Sequence, residues 1–301
     1  MPVWIPITIF AAFFQNLRSA LQKHLTGVLS GQGAAYSRFL FALPWALLYL
    51  WVLVEFFGFS LPQTNARFFL FCLLGSVSQI FSTVALLKAF SFRSFAVATV
   101  ISKLEIVIVA VLGLLILGDS LSLLAQFGIL LGTIGLLTLS VGQNKLTPAA
   151  MLRGLGEPAT TYGLLAALGL GGSVIFFRGA ALALEEPAFV MAAAFTLATA
   201  LLIQTTLMGI FLAVLEKGQI TRVLGSWRWS FWVGVTGMLA SVGWFTAFTL
   251  QNASYVRALG QIELLFTFVA TTRVFREKVS VLEYLGCALI VIGILVLLLS
   301  R

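Results

Sequence analysis

Ten runs of about twenty apolar residues, parted by short polar turns, take up almost all of this chain. They fall at approximately 3 to 22, 33 to 54, 67 to 89, 94 to 117, 121 to 141, 158 to 179, 187 to 213, 229 to 250, 254 to 275 and 281 to 300. A bilayer core about 30 Å thick takes roughly 20 apolar residues per helix, so each run is long enough to cross. The breaks carry turn chemistry: GFSLPQTN, GDSLS, VGQNKLTPAAMLRGLGEP, LEEP and LEKGQ. With 60% hydrophobic and 9% charged residues in 301, and a mean hydropathy of +1.08, the composition excludes an ordinary soluble domain. The expected fold is an all-α integral membrane protein of ten transmembrane helices. The first run has no basic stretch before it and ends in RSALQKHL, so it reads as a retained span.

The longest polar connector, residues 142–157, divides the runs five and five, into halves at 1–141 and 158–301. The halves match at an offset of 158: Ser122, Leu124, Gly128, Leu131, Ile134, Gly135, Leu137 and Leu139 fall on Ser280, Leu282, Gly286, Leu289, Ile292, Gly293, Leu295 and Leu297. Most of these are apolar and weak alone. The acidic matches carry more weight, Glu105 falling on Glu263 and Asp119 on Glu277. Because five is odd, the second copy enters the membrane from the opposite side, which implies two inverted five-helix repeats, a design common among secondary transporters.

Loop charge bears on orientation. Lys23, Lys88, Arg93, Lys145, Arg153, Lys217, Arg222, Arg228, Arg273, Arg276 and Lys278 lie on one face, while Arg67, Arg301, Glu55, Asp119, Glu185 and Glu186 lie on the other. On the positive-inside rule both termini are then outside the cytoplasm. The same rule accounts for the net charge of +8; no Lys/Arg-rich tract points to nucleic acid.

Within the runs, ionisable residues are the exceptions that need a reason, since a charge at bilayer depth costs a few kcal/mol and faces a cavity or a partner. Glu105, Lys103 and Glu263 lie near mid-span. Residues i and i+2 sit about 200° apart on a helix, so Lys103 and Glu105 cannot share a direction or pair. Arg18, Arg38, Arg178 and Arg257 are the nearest cations, with Arg18 and Arg38 towards one face of adjacent helices. Two readings stand side by side: a buried ionic clamp between helices, or a cavity lining that binds a polar solute. Snorkelling to the headgroups is a third for the arginines. Deep basic residues outnumber the acidic pair, which favours a solute with a carboxylate or other anionic group, its ammonium read by Glu105 or Glu263, or one of these carrying a coupling proton. Gln15, Asn16, Tyr36, Gln79 and Trp244 could add to the lining, and Trp227, Trp229 and Trp232 read as an interfacial belt.

Other signals are discounted. GLGGS at 169–173 lies inside an apolar run with no strand before it. Gly128 and Gly132 form a small-xxx-small pair that suits a close helix contact, within one chain or between two. His24 is the only histidine, and Cys72 and Cys287 sit in apolar runs as packing residues, so neither a metal centre nor a cofactor is expected.

The run LEIVIVAVLGLLILGDSLSLLAQFGILLGTIGLLTL resembles the fourth and fifth helices of the drug/metabolite transporter superfamily, EamA type. Leu104 and Glu105 match its Leu-Glu, and Gly118, Asp119, Leu121 and Ser122 match its turn; Glu263, Glu277 and Ser280 match in the second copy. AAYSRFLFALPWALL is similar to the family's second helix through Arg38 and Phe39. The proline that the family carries after the mid-span Glu is here Ile106 in one half and Leu264 in the other, which removes the sequence reason for a break in those helices. Family habit, unlike loop charge, implies cytoplasmic termini.

The resemblance implies a multi-pass protein of a bacterial inner membrane that exports small metabolites. The composite expectation is a secondary active transporter that moves an amino acid or related zwitterion or anion by alternating access between the two halves, with protons as a candidate coupling ion. The partners are then a small-molecule solute and the lipid bilayer, with the chain a monomer or homodimer. A lipid-modifying intramembrane enzyme, needing a nucleophile and base clustered at one face, and a non-transporting receptor or assembly partner, needing long loops, fit the residues less well.

Overall fold

A computed structural model describes residues 2–25, 27–269 and 279–300. Every regular element among them is helical. The first stretch holds α1 (Trp4–Leu25), α2 (Gly31–Glu55), α3 (Ala66–Ala89), α4 (Phe95–Ser102) and α5 (Glu105–Leu112), which runs on into a π-helical turn, Gly113–Leu117. Then come α6 (Leu123–Gln143), α7 (Pro148–Gly154), α8 (Pro158–Ala183), α9 (Phe189–Leu215), α10 (Gln219–Gly225), α11 (Trp227–Leu250), α12 (Ala253–Gly260), α13 (Ile262–Val269) and α14 (Val281–Leu299).

Eight of the expected spans are helices long and apolar enough to cross a bilayer. The remaining two stretches are helical but differ in character. Gln15, Asn16, Arg18, Gln22 and Lys23 make α1 too polar for that class, and the stretch at 254–275 consists of α12 and α13 followed by residues outside the described set. Glu277, Arg273, Arg276, Lys278 and Arg301 also lie outside it, so the Asp119–Glu277 match has no structural counterpart to describe. The connector at 142–157 is not all loop: Thr147 caps α7 by accepting from Ala150 N at 3.2 Å, ahead of Pro148.

The fourth span breaks although no proline is present. Lys103 N donates to Val100 O at 3.1 Å and Leu104 N to Ile101 O at 3.0 Å, so the chain tightens to i→i−3 bonding between α4 and α5. The same tightening separates α12 from α13, where Gln261 N donates to Ala258 O and Leu264 N to Gln261 O. The break therefore owes nothing to a missing donor. Each break creates two helix ends inside the span, and each end matters below.

Contacts divide the chain into two compact units. One comprises the chain up to Ile80 with Phe176–Gln251; the other comprises Phe81–Ile175 with the chain from Asn252. Each draws on both halves of the sequence. In the first, α1 packs on α11, and α2 packs on both α9 and α11. Leu25, Tyr36, Met208, Leu212, Val223 and Val233 form one of its cores. In the second, α6 packs along α14 more extensively than on any other helix, and α12 lies against α5, α6 and α14.

The α6–α14 contact is antiparallel and made of glycines. A Cβ on Gly128 would lie 2.9 Å from Gly293 O, and one on Gly135 would lie 2.8 Å from Gly286 O. Small residues at these positions let two backbones approach, which is the main source of helix association where lipid is as apolar as leucine. Both helices start at a serine cap: Ser122 accepts from Ala125 N, and Ser280 accepts from Glu283 N while Glu283 Oε1 accepts from Ser280 N.

Candidate functional site

In the second unit, Glu105 forms an ion pair with Arg257. Their side chains are 8% and 17% exposed, so this is a buried pair within a membrane-spanning region. The helix breaks decide where the two charges sit. Glu105 is the first residue of α5, at the positive end of that helix dipole, and Arg257 is in the last turn of α12, at a negative end. Each charge is thus favoured by its own helix as well as by its partner. Glu263 occupies the first turn of α13 and is half-buried, while Lys103 is the half-buried C-cap of α4. Glu105, rather than Lys103, is therefore the member of the pair with a partner on a neighbouring helix.

Beyond Arg257, α12 carries two more polar side chains, Ser254 and Gln261, which are 1% and 5% exposed. Gln261 lies against α6, its amide nitrogen 3.3 Å from where a Cβ on Gly132 would be. Glu105, Arg257, Ser254 and Gln261 together form a polar patch held by α5, α6 and α12.

The first unit brings together a different set. Arg18 and Arg38 both lie against Gly237 of α11, their Cδ and Cγ atoms 3.2 and 3.4 Å from where its Cβ would stand. Close to the same seam, Trp244 Nε1 donates to Gln15 Oε1 at 2.9 Å and its ring stacks on Phe248 at 5.7 Å. The guanidinium of Arg38 also lies over the Phe39 ring at 4.4 Å. Tyr36 is buried with its hydroxyl 3.0 Å from where a Cβ on Gly209 would lie. Gln204 Nε2 donates to Gln79 Oε1 at 2.6 Å, linking α9 to α3.

Arg178 is buried and its geometry explains why it is an arginine. Its Nη1 donates to Phe248 O and, at 2.6 Å, to Gln251 O, two carbonyls at the C-terminal end of α11 that have no further helical turn to bond. A cation there also complements the dipole. Arg178→Met should lower stability by about 2–3 kcal/mol, the scale of lost hydrogen bonds to a charged group. Thermal unfolding of purified protein in detergent checks this, with Arg178→Lys recovering part of the loss because a single ammonium can serve the same carbonyls.

Two features bear on other chemistry. Among the described residues no three His, Cys, Asp or Glu side chains come together in a way that could hold a metal ion. Cys72 and Cys287 are both free and buried. At the chain surface, Trp227, Trp229 and Trp232 are half exposed, and His24 stacks on Trp229 at 5.0 Å.

Sequence reasoning named Arg257 only as one of four possible partners and passed over Ser254. The i, i+3, i+7 spacing of Ser254, Arg257 and Gln261 was the available signal, since it places all three on one helical face.

No curated protein matches the chain. Among solved structures, 28 chains match; one, described as "Crystal structure of protein", aligns at 16% identity over 99% of this chain and 98% of its own, with a TM-score of 0.72. That likeness is one of fold. Residues 158–299 match the model of the EamA-like transporter family. Among the described residues every regular element is helical and eight helices are long and apolar enough to span a bilayer, so the chain is a multi-pass membrane protein whose second half is similar to the EamA-like transporter family.

Proposed function

We propose that the chain is a secondary active transporter that moves a small zwitterionic or anionic metabolite, such as an amino acid, outward across a bacterial inner membrane by alternating access, with protons as the coupling ion. The observation that carries this reading is the buried Glu105–Arg257 pair at a double helix break. A buried ion pair is weak evidence for stability, because desolvation offsets most of its attraction. It does, however, hold one group for an ammonium and one for a carboxylate, the two ends of a zwitterion. Broken helices whose ends carry such charges are a recurrent solution for substrate binding in transporters.

The internal match at an offset of 158, which we read as an inverted repeat, supports the same proposal. At the offset of 158, Phe95–Ser102 falls on Ala253–Gly260, and the capping Ser122 falls on the capping Ser280, so the limits of α4 and α12 and the caps of α6 and α14 correspond. The α6–α14 contact is reciprocal under the same offset, Gly128 meeting Gly293 as Gly286 meets Gly135.

Purified protein reconstituted in proteoliposomes should accumulate or exchange isotopically labelled amino acids under an imposed proton gradient. Glu263→Gln should reduce the rate at least about tenfold if that carboxyl carries charge or a proton in the cycle. A preparation inert towards amino acids, sugars, amines and nucleosides under gradients of both signs would overturn the proposal.

A further inference from the structure

Ser254 and Gln261 are deeply buried polar side chains with no hydrogen-bond partner at Ser254 Oγ or at either amide atom of Gln261. Most other buried hydroxyls and amides in the described helices are satisfied, Thr205 Oγ1 and Gln219 Oε1 being isolated exceptions on separate helices. Thr8, Thr133, Thr196 and Thr236 each donate to the carbonyl four residues back, Gln204 bonds Gln79, and Gln15 bonds Trp244. In lipid an unsatisfied polar group is more costly than in a soluble core, because no water reaches it. Three such atoms on one short helix are therefore unusual, and their geometry is not scattered. At 100° per residue, Ser254, Arg257 and Gln261 fall within an arc of about 60°, and Arg257 stands about 4.5 Å along the axis from Ser254 and about 6 Å from Gln261. Arg257 is ion-paired with Glu105. Gly132 of α6 faces the Gln261 amide, where any side chain would crowd it.

Resting on the transport reading above, we infer that Ser254 and Gln261 form a specificity subsite that selects zwitterions carrying a neutral donor–acceptor group, a hydroxyl or a carboxamide, over zwitterions with aliphatic side chains. Glu105 and Arg257 are ion-paired with each other. A zwitterion replaces that pair with two new ones, its ammonium on Glu105 and its carboxylate on Arg257, so charge is conserved and neither residue is left alone. The exchange by itself is indifferent to the rest of the solute. Discrimination comes from Ser254 and Gln261 on either side of Arg257: a hydroxyl or carboxamide gives them the bonds that they lack, and an aliphatic group leaves them as they were. A site built to bond a hydroxyl or amide rejects the analogue without it far more strongly than an apolar pocket rejects an extra methylene.

The test compares near-isosteric pairs in proteoliposome counterflow: serine with alanine, threonine with valine, and asparagine with leucine. The wild type should favour the polar member of each pair in kcat/KM by about tenfold or more. Gln261→Leu and, separately, Ser254→Ala should bring that ratio towards one; because the ratio is internal to each preparation, it does not depend on how much protein folds. Equal or better transport of the aliphatic members by the wild type overturns the subsite and leaves the transport reading intact. A ratio retained in both variants also overturns it, making the buried groups structural. Transport of neither member defeats the transport reading itself, and the subsite with it.

Discussion

Removing one member of the Glu105–Arg257 pair should be severe, and removing both should be mild for folding yet fatal for transport. Glu105→Met leaves a guanidinium that is 17% exposed with its carboxylate partner gone, and Arg257→Met leaves the Glu105 carboxylate likewise. Breaking a buried pair from one side destabilises by about 3–5 kcal/mol, because the surviving charge is uncompensated. Glu105→Gln removes the charge while keeping the shape, so it too should lower yield and thermal stability, rather than act on transport alone. The double variant Glu105→Met with Arg257→Met replaces two charges by apolar groups of similar volume, a change that is often neutral. Its thermal unfolding in detergent should return close to the wild type, giving a strongly non-additive cycle. Proteoliposome uptake separates the two readings of the pair. If the stable double variant still transports, the pair is a clamp between α5 and α12 and the solute reads other groups. If it folds and does not transport, the charges serve the solute.

Hydropathy made the membrane class and eight of the spans legible because apolar length is a local property of the chain. The helix breaks were not legible. Proline is the usual sequence sign, and Ile106 and Leu264 stand where one would be; the break comes instead from i→i−3 bonding at residues 103–104 and 261, which leaves no residue signature. That one difference hid the site's logic, since only a broken helix gives Glu105 and Arg257 complementary helix ends to occupy. The residues themselves were readable as exceptions in an apolar run. Their partners were not, because pairing joins residues 152 positions apart, Glu105 to Arg257. Arg178 was readable by its depth, while its two bonds to α11 carbonyls, which join residues some 70 positions apart, were not. Arg18 and Arg38 were expected towards one face and do meet at Gly237, a contact that follows from ordinary helical periodicity. The two compact units, each mixing both halves of the sequence, arise from tertiary contacts that no local pattern encodes.

The glycine seam between α6 and α14 should be the least tolerant part of the second unit. A Cβ on Gly286 would lie 2.6 Å from Leu139 N and 2.8 Å from Gly135 O, and one on Gly293 would lie 2.6 Å from Gly132 N. These neighbours are backbone atoms, so no rotamer change can relieve the clash; the helices must separate along a contact that runs from Gly128–Gly293 to Gly142–Glu283. Gly135→Val and Gly286→Val should each cost about 3 kcal/mol, the upper end of what overpacking exacts, and should appear as lost monodisperse protein on size-exclusion and a lower unfolding temperature. Gly225→Ala is the control, since a Cβ there would meet nothing within 4 Å. The sequence allowed the small-xxx-small pair at Gly128 and Gly132 to act within one chain or between two. In the structure Gly128 faces Gly293 and Gly132 faces Gln261 of the same chain, so the valine variants should damage the fold at any protein concentration. Stability that returned on concentrating the variant would instead mean that the seam joins two chains. Because Gly135 and Gly286 meet each other, the double variant should be no better than the worse single one: two added side chains cannot share a gap that is too small for one.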